Sequence, residues 1–463
     1  MSNHTRPEHA HPSAQYAPPV TPLANLAQGA EEASEALHNG DGDVTQPKMR
    51  AGELVALFLA QLTLFMALVV PSAFSLAIKF SAIDPGNKDT VLALAVGLAG
   101  TIVLFTNPIA GVLSDRTTSR FGRRRPWFLG GLILGTAGTA LIGFSSSSVL
   151  VIVGWAIALT GYAMSNQTVL TYLGDRLPES QRGKVMGING AITQVGPILG
   201  IVLAGLFSAQ LGLMFLIPAA IAFLGGLWFT AVMKDTKYTG SIPAFQLASL
   251  TRGFYFNPRK HRNFGWVILS KLFIFASLAF TGIYGVYLLM SRLGLDTAGV
   301  ASFAATMGLG SIVIAIGGAI GGGFLSDKLH SRRPFLIASS ALLVISPLIV
   351  GTSTTTPQYV IGALIGSLGI GIYGSVDQAL ALDTLPSEEN ENGRYLSVFG
   401  LANAVPQAFG PLLAGVVLSL AGGDYTWVYF VAAAFAALGA LAIIPITASR
   451  QSLVSTTSLQ TTK

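Results

Sequence analysis

Twelve long runs of mostly apolar residues follow one another from Gly52 onward, each separated from the next by a short polar break. They cover roughly 53–80, 90–114, 127–147, 149–174, 184–208, 212–233, 264–291, 298–326, 334–352, 357–384, 394–420 and 424–447. A membrane-spanning helix needs about 20 such residues. The runs are continuous rather than alternating, which predicts helices and excludes a β-barrel. Pro71, Pro108, Pro197, Pro406 and Pro411 fall inside runs; membrane helices tolerate this because neighbouring helices and waters re-satisfy the freed backbone groups. The pattern predicts an all-α membrane protein of twelve transmembrane helices. A break near 234–263 divides it into six-helix bundles at 51–233 and 264–447, with tails at 1–50 and 448–463.

The polar segments fix an expected orientation. Of the 27 Lys and Arg residues, all but Lys79, Lys88, Arg292 and Lys271 lie in the tails or in loops on one side of the twelve segments. Basic loops stay in the cytoplasm, so both termini are expected there. The net charge of +6 is therefore a matter of topology, not of nucleic-acid binding. Only 10% of the 463 residues are charged, against about 25% in soluble domains, which argues against a soluble enzyme. The absence of cysteine excludes a disulfide framework and a thiolate metal site or nucleophile. The first 50 residues hold four of the six histidines (His4, His9, His11 and His38) but no apolar run. They read as a solvated tail rather than a secretory signal or a metal site.

The two halves echo each other at an offset near 210 residues. Gly111-Val-Leu-Ser-Asp115-Arg116 returns as Gly323-Phe-Leu-Ser-Asp327-Lys328, Arg124-Arg125-Pro126 as Arg332-Arg333-Pro334, Asp175-Arg-Leu-Pro178 as Asp383-Thr-Leu-Pro386, and Gly196-Pro197 as Gly410-Pro411. Repeated membrane halves of this kind hold substrate near the midplane between them.

Within the spans two ionisable residues stand out, and such residues are functional candidates by default. Lys271 sits about 10 Å inside the seventh segment at 1.5 Å per residue, and Asp377 lies at a similar depth in the tenth. They are candidates for an ion pair, with Asp377 as the proton-coupling group; the plain alternative is a static pair with a snorkelling lysine. Neutral polar residues are more numerous: Gln61, Tyr162, Asn166, Gln167, Asn189, Gln194, Tyr284, Tyr287, Tyr373, Gln378, Asn403 and Gln407. Amides for hydroxyl groups and aromatic faces for ring C–H groups suit an uncharged polyhydroxylated solute.

The stretch from Asn107 to Trp127, with Gly111-Val-Leu-Ser-Asp115-Arg116-Thr-Thr-Ser-Arg120-Phe-Gly122-Arg123-Arg124-Arg125-Pro126 at its heart, resembles the signature between the second and third helices of the major facilitator superfamily. It is most similar to the SDRxxSRxGRRRP string of the glycoside-pentoside-hexuronide:cation symporters and plant sucrose transporters. The resemblance implies the major facilitator fold, a cavity lined by helices 1, 4, 7 and 10, and a cytoplasmic latch built from Gly111, Asp115, Arg116, Arg123, Arg124, Asp175, Asp327, Arg332, Asp383 and Arg394. In it Asp115 and Asp327 would meet groups at the starts of helices 11 and 5, with Arg394 and Lys184 as candidates, while Asp175 and Asp383 neutralise loop arginines. Where the melibiose-permease branch carries a carboxylate before the helix 2 proline, this chain has Phe105-Thr106-Asn107-Pro108, which argues against sodium coupling through helix 2.

The expectation is a monomeric secondary transporter of a sugar or glycoside in the cytoplasmic membrane, working by alternating access, with no cofactor or metal and no enzymatic activity. Proton symport through Asp377 leads, with facilitated diffusion close behind and sodium as the other ion. The rival readings are an exporter of amphipathic compounds and a non-transporting sensor on the same fold.

Overall fold

The computed structural model of the protein describes residues 48–235, 259–329, 331–384 and 392–446. The expected tails, apart from their edges, and most of the expected linker lie outside the described residues. Twelve helices are long and apolar enough to cross a membrane. They are α1 (Ala51–Ile83), α2 (Lys88–Asp115), α3 (Arg125–Phe144), α4 (Ser148–Arg176), α5 (Glu179–Leu206), α6 (Leu213–Val232), α7 (Arg262–Ile283), α8 (Thr297–Lys328), α9 (Arg333–Gly351), α10 (Thr356–Asp383), α11 (Asn392–Leu420) and α12 (Tyr425–Ile443). A nine-residue helix, Gly285–Leu293, continues α7 beyond Tyr284.

Pro71 does not break α1. Lacking an N–H, it opens a five-residue π turn, Pro71–Ser75, in which the Leu76 N–H reaches back to the Pro71 carbonyl, and the α-helix then resumes. Lys79, in the last turns of α1, is buried and donates from Nζ to the Gly143 carbonyl at 3.4 Å, satisfying an acceptor at the end of α3.

In the first half α3 packs on α4, α4 on α2, and α1 on α5 and α6; in the second half α10 packs on α8 and α9, and α12 on α7 and α9. Small residues set these distances. A Cβ on Gly161 of α4 would collide with the backbone of Gly131 and Gly135 in α3, the close approach that drives helix packing where lipid supplies no hydrophobic force.

Two seams join the halves, α2 with α11 and α5 with α8. At the end away from the Arg-rich loops both are tight. A Cβ at Gly100 would lie 3.1 Å from Ala408 Cα and 3.2 Å from the Gln407 carbonyl, and one at Gly308 would lie 2.9 Å from Ile198. At the basic end the seams part: a Cβ on Gly111, Gly187, Gly190, Gly317, Gly321 or Gly400 would meet nothing within 4 Å.

Candidate functional site

The parted seam encloses a cavity of about 980 Å³ between α1, α2 and α4 of the first half and α11 of the second. Its polar lining comes from Ser72, Asn107, Gln167, Thr171 and Gln407, with Asp115 at the basic end. Trp155 of α4 also lines it, fully buried and with an indole N–H that has no partner. Neither α7 nor α10 lines this cavity, which departs from the lining implied by the family resemblance. The cavity lies in the seam beside α2.

Of the residues singled out in the sequence, Gln167 and Gln407 face the cavity. Gln61 lies between α4 and α5, where its Nε2 donates to Asn189 Oδ1 at 3.2 Å and Asn166 Oδ1 at 3.4 Å. Its own carbonyl oxygen is buried without a partner. Gln194, Gln378 and Asn403 are exposed and line none of the described cavities.

Three tyrosines are placed away from the solute cavity. Tyr162 is wholly buried inside the first half, with its hydroxyl 3.1 Å from Thr139 Oγ1 of α3 and its ring over Gly135. The glycine leaves room for the ring, so Tyr162 turns into its own bundle. Tyr284 and Tyr287 sit at the closed end. Their hydroxyls donate to the Asp89 and Lys88 carbonyls at 3.3 and 3.4 Å, and Tyr425 donates to Asp89 Oδ1 at 2.7 Å. The three rings cluster with centroids 5.6 to 6.4 Å apart, clasping the first turn of α2 through two of its carbonyl oxygens and the Asp89 carboxylate.

Beside this clasp Arg292 donates to Asp424 Oδ1 at 2.8 Å, to Thr426 Oγ1 and to the Gly351 carbonyl. Hydrogen bonds from the Thr426 side chain and backbone, with Arg292 adding to them, hold the Asp424 carboxyl below the usual carboxylate range. A lowered pKa contributes stability that is present above the ordinary value of about 3.9 and is lost as pH falls through the lowered one. Thermal stability measured against pH should therefore contain a small acid-labile component that Asp424→Asn removes.

Lys271 and Asp377 do meet. Lys271 Nζ lies 3.1 Å from Asp377 Oδ2 and 3.3 Å from the ring centroid of Phe399 on α11, with the two side chains 12% and 5% exposed. Tyr373, one turn earlier than Asp377 on α10, has its hydroxyl 3.4 Å from Ser270 Oγ.

This pair has a neutral twin. Gln61 precedes Lys271 by 210 residues, and Tyr162 and Asn166 precede Tyr373 and Asp377 by 211. The first half thus holds a Gln61–Asn166 hydrogen bond between side-chain amides where the second holds Lys271–Asp377. The repeated Tyr-x-x-x-Asn/Asp spacing was the signal available in the sequence.

The loop between α2 and α3 folds on itself. Arg124, only 4% exposed, bonds Asp115 at 2.7 Å, Asp175 at 2.8 Å and Ser114 Oγ at 2.9 Å; Arg123 adds a 2.6 Å bond to Asp115. In the second half Arg332 bonds Asp327 at 2.7 Å. Asp115 and Asp327 are therefore held by arginines of their own loops, and among the described residues no group across the seam bonds either of them. With the basic end open, Lys184 does not bond Asp327. The side chains of Arg394 and Asp383 lie outside the described residues.

Gly122 explains its place in the motif. It has φ 105°, and a Cβ there would overlap the carboxylate of Asp235, which caps α3 by accepting from the Arg124 and Arg125 N–H groups at 2.6 and 2.7 Å. Gly122→Ala should cost about 1–3 kcal/mol from backbone strain alone, read as a lowered melting temperature of the detergent-solubilised protein.

The profile of the Major Facilitator Superfamily matches residues 54–390 and 318–460. The chain belongs to that superfamily. Among its superfamily relatives, a putative glycerol-3-phosphate transporter of Arabidopsis thaliana is 25% identical over 312 residues, covering 58% of this chain and 63% of the relative. A general alpha-glucoside permease of Schizosaccharomyces pombe is 35% identical over 86 residues, covering 19% and 15%. The solved structure of the nucleoside transporter NupG superposes with a TM-score of 0.67 at 11% identity, covering 85% of this chain and 98% of that one. Superfamily membership and the twelve apolar helices make this a multi-pass membrane protein.

Proposed function

We propose that this protein is a secondary transporter that carries an uncharged, polyhydroxylated solute, a sugar or glycoside, across the cytoplasmic membrane by alternating access. The observation that carries the reading is the lining of the 980 Å³ cavity: amides, hydroxyls and an unpartnered indole N–H among apolar walls. Among the described residues the one charged group in the lining is Asp115, already held by Arg123 and Arg124. A phosphate ester asks for Arg or Lys in the cavity, so the phosphate-ester chemistry in one relative's name is not carried over. The alpha-glucoside permease and the sugar-family form of the Gly111–Pro126 motif support the sugar class.

On the orientation expected from the basic loops, the parted end faces the cytoplasm and the tyrosine clasp faces outward. The structure is then the inward-open state. Gly111, Asp115, Arg116, Arg123, Arg124, Asp175, Asp327, Arg332, Asp383 and Arg394 form the latch on this reading. In the inward-open state the arginines keep Asp115 and Asp327 inside their own loops, and closure of the basic end releases them to the opposite half. Asp377, paired with Lys271, is the coupling group of a proton symporter that works as a monomer. Protonating it removes one charge of a buried pair, and a stranded lysine has reason to move.

Uptake of radiolabelled sucrose, maltose and glycerol-3-phosphate into proteoliposomes under a pH gradient tests the reading, with a sodium gradient and dye efflux in parallel. Accumulation of a neutral sugar driven by the pH gradient is expected. Movement of the phosphate ester alone, or of the dye alone, would overturn the substrate class.

A further inference from the structure

The coupling pair and the solute cavity are separate places. No described residue of α7 or α10 lines the cavity, and Asp377 is 5% exposed by side chain. A proton that reaches Asp377 from outside needs another route, because the tyrosine clasp shuts the seam between the halves on that side.

A second cavity supplies one. Inside the second half, between α7, α9, α10 and α12, lies a space of about 260 Å³ whose lining includes Ser277, Thr281, Ser346, Ser367, Tyr359 and Tyr429. A water takes about 30 Å³ of liquid, so several fit, and hydroxyls give them partners. Tyr429 donates to the Thr281 carbonyl at 3.4 Å, fixing one wall.

The same two helices lead from this cavity to the ion pair. Ser270, Ser277 and Thr281 recur at seven and four residues, one face of α7. Gly366, Ile370, Tyr373 and Asp377 recur at four, three and four, one face of α10. Gly366 and Ile370 line the cavity, and Tyr373 follows Ile370 by one turn. There its hydroxyl meets Ser270 Oγ at 3.4 Å, one helical turn before Asp377. The groups around that carboxylate are Lys271 from α7, Tyr373 from α10 itself and, against the lysine, the Phe399 ring from α11.

We propose that this hydroxyl-lined cavity is a water-filled half-channel that delivers protons from the clasp side to Asp377 through the Tyr373–Ser270 pair, apart from the path of the solute. The proposal rests on Asp377 as the coupling group. The proton passes along waters by exchange of O–H bonds, the Tyr373 hydroxyl accepting one and releasing another, and ends on a carboxylate oxygen of Asp377.

The test is a pH jump on full-length protein, oriented in vesicles, followed by the infrared carboxylic-acid band that Asp377→Asn abolishes. In the wild type the band should rise when the clasp side is acidified. Tyr373→Phe, which keeps the ring, and Ser367→Met, which fills the cavity, should each slow that rise by about 100-fold, the low end of what a positioned proton-transfer group contributes. The response to acid at the basic end should be unchanged in both. A band that follows only the basic-end pH, or variants that respond as fast as wild type, would overturn the half-channel. Failure of the coupling reading looks different: Asp377→Asn would then accumulate solute as well as wild type, whatever the band does.

Discussion

Replacing Lys271 with methionine is expected to destabilise the protein by about 3–5 kcal/mol, the usual cost of removing one partner from a buried ion pair. Asp377, 5% exposed, would be left buried inside the second half without the ammonium group that pairs with it. Adding Asp377→Leu to Lys271→Met should recover most of the loss, since replacing both charges by apolar side chains of similar volume is often neutral. Thermal unfolding in detergent of both singles and the double gives a mutant cycle; additive losses would mean that the two side chains do not depend on each other. Transport should separate the partners again. Asp377→Asn keeps the hydrogen-bonding shape and loses the charge, so solute exchange should persist while accumulation driven by a pH gradient is lost. Undiminished accumulation would remove Asp377 from the coupling mechanism.

Gly100→Leu should drive the seam open at the clasp end. Its Cβ would already stand 3.1 Å from Ala408 Cα and 3.2 Å from the Gln407 carbonyl, and neither backbone atom can yield without moving α11. Overpacking of this kind costs about 1–3 kcal/mol, which shifts the balance between two conformations by about 5- to 150-fold. A chain with no cysteine accepts a pair of introduced thiols for spin labels without background, so distances across the clasp and across the basic end are directly measurable. The clasp distance should lengthen in Gly100→Leu. Gly111→Leu, whose Cβ meets nothing within 4 Å in this state, should leave the clasp distance as it is and instead prevent the basic end from closing. Equal behaviour of the two variants would refute the reading of the two ends.

The helices were legible because lipid imposes a length and a composition on each span. The predicted ends stand within a few residues of the observed ones, except at α5, where Glu179–Gly183 already winds into helix before the apolar run begins, and at α7, which stops at Ile283 while a separate short helix, Gly285–Leu293, completes the run. The direction of the side chains was less legible. Tyr162 and Asn166 share a face by spacing, yet Gly135 makes a slot for the tyrosine in its own bundle while Gln61 draws the asparagine toward α1. Tyr284 and Tyr287 read as cavity residues because polar aromatic groups in a span suggest a solute, but they lie at the end of α7, where the first turn of α2 offers carbonyl acceptors. Asn107 and Trp155 entered the site unannounced, since which seam holds the cavity depends on the contact between the halves, and no local pattern encodes it.

The Gln61–Asn166 amide pair, standing where its twin carries Lys271 and Asp377, bears on stoichiometry. If coupling is confined to the ionisable copy, each cycle moves a single proton. One pH unit is worth about 1.4 kcal/mol, so at zero membrane voltage it sustains at most about a tenfold concentration ratio of a neutral solute.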